Sequence, residues 1–297
     1  DAGAYDRGVI VAEGFDYEII DKAYRPYDNM SLLVLLKSDG SIEKRVVASV
    51  TESLKADPQF GADWDRLVEI FRKPSLQMVS FTITEKGYSV SPADLERGAE
   101  PQLIMGKVTA LLYERYQAGA LPITVQSMDN CSHNGEKLQG SILTMAKEWN
   151  RREYVEDGFI AYLSDREQVS FPWSMIDKIT PRPADSVQAE LENAGVEDMT
   201  PVITSRNTYI APFVNAEGPQ YLVIEDCFPN GRPALEKAGV YMTDRDTVNK
   251  VERMKVTTCL NPLHTALAVY GCVLGYTLIA DEMKDPLLNK LARLIGP

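Results

Sequence analysis

The chain has 297 residues, enough for two domains or one large one at the usual ~100–200 residues per domain. Hydrophobic residues make up 44% and charged residues 25%, a globular composition that excludes disorder, collagen and coiled coil. Thirty-one basic against forty-three acidic side chains leave a formal charge of −12, the wrong sign for a phosphate-tracking partner, so neither nucleic acid nor an anionic membrane is expected.

In chain order, Val9-Ile10-Val11-Ala12 is a short apolar strand ending at Glu13-Gly14. Ser31–Lys37 and Ile42–Val50 are β-rich runs about Ser38-Asp39-Gly40, a hairpin pattern. Trp64, Leu67, Val68 and Phe71 follow the i, i+3, i+4, i+7 rule and predict an amphipathic helix over 62–72, stopped by Pro74 before a buried strand at Leu76–Ile83. Ile104, Val108, Leu111 and Leu112 mark a second helix, closed by Gly119 ahead of strand Ile123–Ser127. A third helix, striped by Leu138, Ile142, Met145 and Trp149, follows the turn Asn134-Gly135. Strand, helix, strand is the grammar of a parallel α/β sheet, which places ligand sites at the carboxyl ends of its strands.

From Thr243 the pattern is helical. Thr243 and Asp246 resemble a capping box, and Leu287, Leu288, Leu291 and Leu294 give one apolar face. The longest apolar run, Ala266 to Ala280, is fifteen residues, short of the ~20 that span a bilayer, and is expected to be a buried helix. A domain boundary is expected near Gly239. The polar, acidic start does not read as a signal peptide. Four scattered cysteines (Cys131, Cys227, Cys259, Cys272) and two histidines argue against zinc and for a reduced, cytoplasmic protein.

Three segments put polar residues just past a strand: Ser80 to Tyr88, Asp129-Asn130 with His133-Asn134-Gly135, and Phe171 to Asp177 beside Lys178. Each also answers to an ordinary strand-to-helix turn, where Asp, Asn and Gly suit the backbone. A fourth is Lys255-Val256-Thr257-Thr258-Cys259-Leu260-Asn261-Pro262-Leu263-His264. It reads either as a helix start, with Asn261 as N-cap and Pro262 at the first helical position, or as a site. In the second reading Lys255 is a general base, because burial can bring a lysine from ~10.4 down to ~7–8. Asn261 would then donate to a developing alkoxide and His264 would hold a substrate hydroxyl. No G-x-G-x-x-G, Walker loop, G-x-S-x-G or H-E-x-x-H occurs.

Lys255…Asn261-x-x-His264 resembles the signature of the polyol-specific long-chain dehydrogenases, the mannitol dehydrogenase family. Thr82 to Tyr88, Asp129-Asn130 with Asn134-Gly135, Phe171-Pro172 through Pro181, and Ile224-Glu225-Asp226 followed by Gly231-Arg232-Pro233 and Glu236 to Val240 resemble its segments in its order. The resemblance implies an α/β fold: a Rossmann-type, mainly parallel sheet domain over 1–239 and the start of a mostly helical substrate domain over 240–297. The first strand and glycine-rich loop are missing, as expected of a chain truncated at both ends. It also implies metal-free hydride transfer between NAD (NADP is not excluded) and a small sugar acid or polyol.

Carried over by residue, Lys255 resembles the base, Asn130 and Asn261 the amide pair at the alkoxide, and Asp177 and His264 the groups orienting lysine and substrate. Glu13 is placed to accept from a cofactor ribose, with Thr84 and Glu85 as further cofactor contacts. Lys86, Asn134 and Arg232 are candidate substrate contacts, Lys86 or Arg232 as the cation for a carboxylate. The stretches Ser127 to Leu138 and Lys255 to Gly275 look most like members that handle hexuronates, pointing to the mannonate/fructuronate pair. The mannitol/fructose and altronate/tagaturonate pairs, or a non-catalytic sugar-acid binding module, are the alternatives.

In the family the asparagine follows the lysine by five positions; here it follows by six, with Val256 in the strict place. One extra residue on a regular helix turns the lysine by ~100°. A kink or π-bulge near Thr257–Cys259 is therefore expected, helped by Pro262, which has no N–H to bond back to Thr258.

Overall fold

The β-branched run Val9-Ile10-Val11 forms β1 (Val9–Glu13) of the computed structural model, which describes residues 8–37, 39–97, 101–218 and 220–296. There follow β2 (Ser31–Leu36), β3 (Ile42–Val47), β4 (Val50–Lys55), α1 (Gly61–Phe71), β5 (Met78–Phe81), α2 (Pro92–Arg97), α3 (Ile104–Gln117) and β6 (Ile123–Ser127). Next come α4 (Asn134–Arg151), α5 (Asp157–Ser164), β7 (Val169–Ser170), β8 (Ser174–Lys178), α6 (Asp185–Asn193), β9 (Val202–Ile203), β10 (Tyr209–Ile210), β11 (Phe213–Glu217), β12 (Gln220–Glu225) and β13 (Tyr241–Thr243). The chain divides into two compact units, 1–242 and 243–297.

In the first unit the pairings β1 with β4, and β5 with β6 with β7, are parallel. Helices α2 and α3, then α4 and α5, supply the crossovers that β5, β6 and β7 require, whereas β1 reaches β4 through short helical turns at 20–27 and the β2–β3 pair. β6 is buried along its whole length, as a strand covered on both faces must be. The main core lies between these strands and α1, α3, α4 and α5. Leu138, Ile142 and Met145 of α4 are fully buried there, each contributing roughly 1.5–3 kcal/mol of burial. A smaller core of Val34, Val187, Leu191, Met199 and Phe213 sits beneath the sheet β11-β2-β3.

The hairpin expected at 31–50 forms, with β2 antiparallel to β3 and Gly40 at φ +85° in its turn; Ser38 lies outside the described residues, as does Arg7. The run Ile42–Val50 is two strands, because the chain leaves β3 at Val47 and Val50 begins β4 against β1. Asn134-Gly135 is the first turn of α4 itself and does not precede it. β8 pairs antiparallel with β12, so the Phe171–Asp177 segment leads into a strand and not into a strand-to-helix turn.

The second unit contains α7 (Arg245–Met254), a π-helix over Lys255–Leu260, α8 (Asn261–Val273), α9 (Ile279–Glu282) and α10 (Pro286–Ile295). Its N-cap is Asp244, whose carboxylate accepts the Thr247 N–H at 2.8 Å, one residue beyond the expected Thr243. The run Ala266–Ala280 is not one buried helix: α8 ends at Val273, Gly275 turns the chain at φ +87°, and Val273 and Leu278 are exposed. Likewise Leu288 alone of the α10 leucines is buried, with Leu287 and Leu294 exposed. Among the described residues no helix is long and apolar enough to cross a membrane.

Candidate active site

Three strand ends of the first unit carry the polar groups. At the end of β1, the Glu13 carboxylate caps its own turn, accepting the N–H groups of Phe15 at 2.7 Å and Asp16 at 3.0 Å. Gly14 lets α3 pack close, since a Cβ there would stand 2.7 Å from Cδ1 of Ile104 and the Ile104 side chain would have to shift. The turn is fastened from below by Lys107, fully buried in α3. Its Nζ reaches the Asp57 carboxylate at 2.6 Å, the Tyr17 hydroxyl at 2.8 Å and the Gly14 carbonyl at 3.0 Å. Burial alone would raise the Asp57 carboxyl, but hydrogen bonds from Lys107 and Tyr17 outweigh it and hold it below the usual carboxylate range. Burial and the neighbouring Asp57 push the Tyr17 hydroxyl up.

At the end of β5 the chain takes an unusual path: Thr84 has φ +62°, a left-handed value that a β-branched residue rarely adopts. The Asp129 carboxylate, beyond the end of β6, holds it there. It accepts the N–H of Ile83 at 3.0 Å and of Thr84 at 2.9 Å, and the Tyr88 hydroxyl at 2.5 Å. Burial, then the hydrogen bond to Asp129, push the Tyr88 hydroxyl up. Glu85 pairs with Lys137 of α4, and Lys86 is exposed.

At the end of β6, Asn130 is exposed beside the buried Asp129. His133 enters α4 at φ +50° and stacks on Trp173, ring centroids 4.2 Å apart. Asn134 is a correction to the sequence expectation. It is buried, and its amide is spent on the protein: Nδ2 donates to the Asp129 carbonyl at 3.0 Å and Ser174 Oγ at 2.9 Å, while Oδ1 accepts the Ser174 N–H at 3.0 Å. This staple joins β6 to β8 and leaves no polar atom for a substrate. Gly135 permits it, since a Cβ there would meet the Phe171 and Pro172 carbonyls at 2.5 and 2.6 Å. Asp177 is half-buried within β8, opposite Tyr221.

Arg232 lies among carboxylates of its own chain. Its guanidinium grips the Asp226 carboxylate through two nitrogens, at 2.8 and 3.0 Å, and also reaches Glu236 at 2.6 Å. Asp226, and then Glu236, raise its pKa. A substrate carboxylate at Arg232 would have to compete with both.

In the second unit the helix does not break at Asn261, whose φ of −62° and ψ of −42° are helical; α7, the π-helix and α8 run on without a gap. α8 thus begins at Asn261 with Pro262 in its first turn, as the start-of-helix alternative has it, but Asn261 is helical and not its N-cap. The irregularity expected at Thr257–Cys259 is present as the six-residue π-helix Lys255–Leu260. Its i→i+5 rings each hold one residue more than an α-helical ring, which takes up the extra position between Lys255 and Asn261. Lys255 is 5% exposed, whereas Asn261 and His264 face solvent on α8. Among the described residues no group of three or more His, Cys, Asp or Glu is arranged to hold a metal ion.

The sequence marked the segments that hold Asp129, Tyr88 and Ser174 but not their bracing role, and it did not mark Lys107 at all.

A family model, the mannitol dehydrogenase Rossmann domain, matches residues 8–237. The chain is 57% identical to D-mannonate oxidoreductase of Thermotoga maritima over 99% of its own length and 56% of that protein. It is 32% identical to mannitol 2-dehydrogenase of Phaeosphaeria nodorum, covering 90% of this chain and 45% of that one. Among solved structures, a D-sorbitol dehydrogenase in substrate-free form superposes with a TM-score of 0.79 at 27% identity, over 98% of this chain and 58% of that one. The Pseudomonas fluorescens mannitol 2-dehydrogenase ternary complex with NAD and D-mannitol gives 0.70 at 27% identity, over 98% and 64%. The chain thus spans about half the length of the curated relatives it matches.

Proposed function

The chain belongs to the mannitol dehydrogenase family, and from that premise we propose that it is part of an NAD-dependent, metal-independent oxidoreductase interconverting D-mannonate and D-fructuronate. Residues 1–239 would bind the dinucleotide, and 240–297 would open the catalytic domain. The observation that carries the substrate is the 57% identity to D-mannonate oxidoreductase across nearly the whole chain, against 32% to a mannitol 2-dehydrogenase.

The donor set fits a dinucleotide. Carboxyl ends of parallel strands are where such ligands lie, and Glu13 ends β1 as an acceptor suited to a ribose hydroxyl. The backbone of Thr84 and the side chain of Glu85 follow the end of β5. When bound, the nicotinamide supplies or takes up the hydride.

The remaining chemistry belongs to the protein. Oxidising a secondary alcohol requires a base for the hydroxyl proton and donors for the charge left on oxygen. Lys255 is the proposed base, taking the proton on its amine and returning it in the reductive direction. The carboxamide N–H groups of Asn261 and Asn130 donate to the oxygen, an interaction worth ~3 kcal/mol for a well-aimed donor. His264 and Asp177 orient substrate and lysine. With Arg232 paired to two carboxylates of its own chain, Lys86 is the preferred candidate cation for the sugar carboxylate.

The test is turnover by the full-length protein with NAD and either D-mannonate or D-mannitol, followed by NADH absorbance. A kcat/KM for mannonate at least tenfold above that for mannitol supports the reading, and a preference for mannitol overturns the substrate. Lys255→Ala turning over within a few-fold of wild type overturns the mechanism.

A further inference from the structure

The turn after β1 is buckled to the β9–β10 hairpin, 188 residues further along the chain. Thr204 donates to the Asp16 carboxylate at 2.6 Å, and both residues are buried. Beside it, the Ser205 N–H and hydroxyl both donate to Glu18. These bonds fix the hairpin tip, and the next residue, Arg206, is exposed with its guanidinium 4.7 Å from the centroid of the Phe15 ring. Phe15 is itself 65% exposed and lies two residues past Glu13. A large aromatic left open beside a strand-end carboxylate, with a cation clamped above it, has no role in either core. Flat apolar faces suit a purine, and a guanidinium fork suits a phosphate.

We propose that Phe15 and Arg206 form the adenosine end of the dinucleotide site, and that Arg206 opposes Glu13 in setting the choice between NAD and NADP. This rests on the dinucleotide-binding reading above. Glu13 accepts from a free ribose diol and repels a 2′-phosphate, whereas Arg206 attracts one. The hairpin carries this cation from far along the chain, and the Thr204–Asp16 bond holds it in place.

The experiment is a fluorescence titration of the full-length protein with NADH and with NADPH. Wild type, Arg206→Ala, Glu13→Gln, the double variant and Phe15→Ala are compared. Wild type is expected to favour NADH. Glu13→Gln should strengthen NADPH binding about tenfold, as removal of one close like-charge contact does. Arg206→Ala should weaken NADPH about tenfold, with NADH changing less than about threefold, and should abolish the gain in the double variant. Phe15→Ala should weaken both dinucleotides alike. If wild type binds NADH but Arg206→Ala moves both dinucleotides equally or neither, or if Glu13→Gln confers no NADPH gain for Arg206 to carry, the inference is overturned while the cofactor reading stands. Wild type that binds neither dinucleotide overturns both.

Discussion

The carboxylate of Asp129 accepts the backbone N–H of Thr84 at 2.9 Å, and Thr84 is a β-branched residue at φ +62°. Such a conformation costs of order 1–3 kcal/mol and persists only where its surroundings impose it. Asp129 is that restraint, since it also takes the neighbouring Ile83 N–H and the Tyr88 hydroxyl. In Asp129→Asn the isosteric amide would turn an NH2 toward at least one of these donors. We expect a loss of about 2–3 kcal/mol, from the range for hydrogen bonds to a charged partner, measured as a lower urea midpoint at unchanged m-value. Ser127→Ala removes the second contact of the Tyr88 hydroxyl and the long bond from the Asp129 N–H at 3.3 Å but leaves the Asp129 carboxylate in place, and its smaller loss is the internal comparison.

Arg115 is fully buried and faces no carboxylate in its hydrogen bonds; its guanidinium donates to five backbone carbonyls, those of Phe71, Lys73, Leu76, Leu121 and Pro122. It ties the exit of α1 to the loop that enters β6. Arg115→Met fills much of the volume but removes a donor from all five: the Lys73, Leu76 and Leu121 carbonyls keep the Leu76 N–H, Asn230 and Tyr162 as donors, while those of Phe71 and Pro122 lose their guanidinium bonds, at ~1–3 kcal/mol for each one that water does not reach. We expect a total of about 4 kcal/mol or more, seen as a large drop in Tm or as insoluble protein. The exposed Arg72–Glu114 pair is the contrast: Arg72→Ala should change stability by less than about 1 kcal/mol.

How much of this was legible in the sequence depends on how far apart the partners lie. The α3 and α4 stripes and strand β6 were readable because apolar periodicity is local. The π-helix was readable too, because one surplus position between Lys255 and Asn261 had to go somewhere. Asn134 was misread, and the ion pairs of Arg232 went unseen, because an amide or guanidinium looks available in sequence until its partner is known. Ser174 lies forty positions from Asn134, and Asp226 and Arg232 are joined only by the turn between them. The N-cap reading of Asn261 was not met for a related reason: proline fits the first turn of α8, yet it equally suits a helix that continues from a π-helical segment with no use for its N–H. The pairing of β8 with β12 spans more than forty residues, and no local pattern encodes it.

The Lys107–Asp57 contact makes stability depend on pH in a definite direction. The Asp57 carboxyl is held below its ordinary range in the folded protein by hydrogen bonds from Lys107 and Tyr17, which outweigh burial. A depressed carboxyl favours the folded state above its unfolded pKa of ~3.9, and this contribution is lost as pH falls through the lower folded value. Wild type should therefore lose stability below about pH 4 more steeply than Asp57→Asn, and the two Tm curves should converge at low pH. Parallel curves between pH 5 and pH 2.5 would remove this contact from the acid limb.

The π-helix gives the most direct test of how Lys255 and Asn261 are registered. Six positions wound with i→i+5 rings turn Asn261 to nearly the bearing that five positions reach on an α-helix. Deleting Thr258, exposed at the middle of the segment, lets the remainder wind as α-helix with the lysine five places before the asparagine. Both termini of the segment are already helical, so the deletion needs no new loop. We expect this variant of the full-length enzyme to keep a kcat within about tenfold of wild type and, with an unstrained ladder, an equal or higher Tm. Inserting an alanine after Thr258 instead adds a residue that the π-helix has no further ring to absorb, and rotates Lys255 by ~100° relative to Asn261. That insertion should lower kcat by at least about a hundredfold while Kd for NADH stays near wild type. Equal activities for deletion and insertion would show that the register between the two residues does not matter to the reaction.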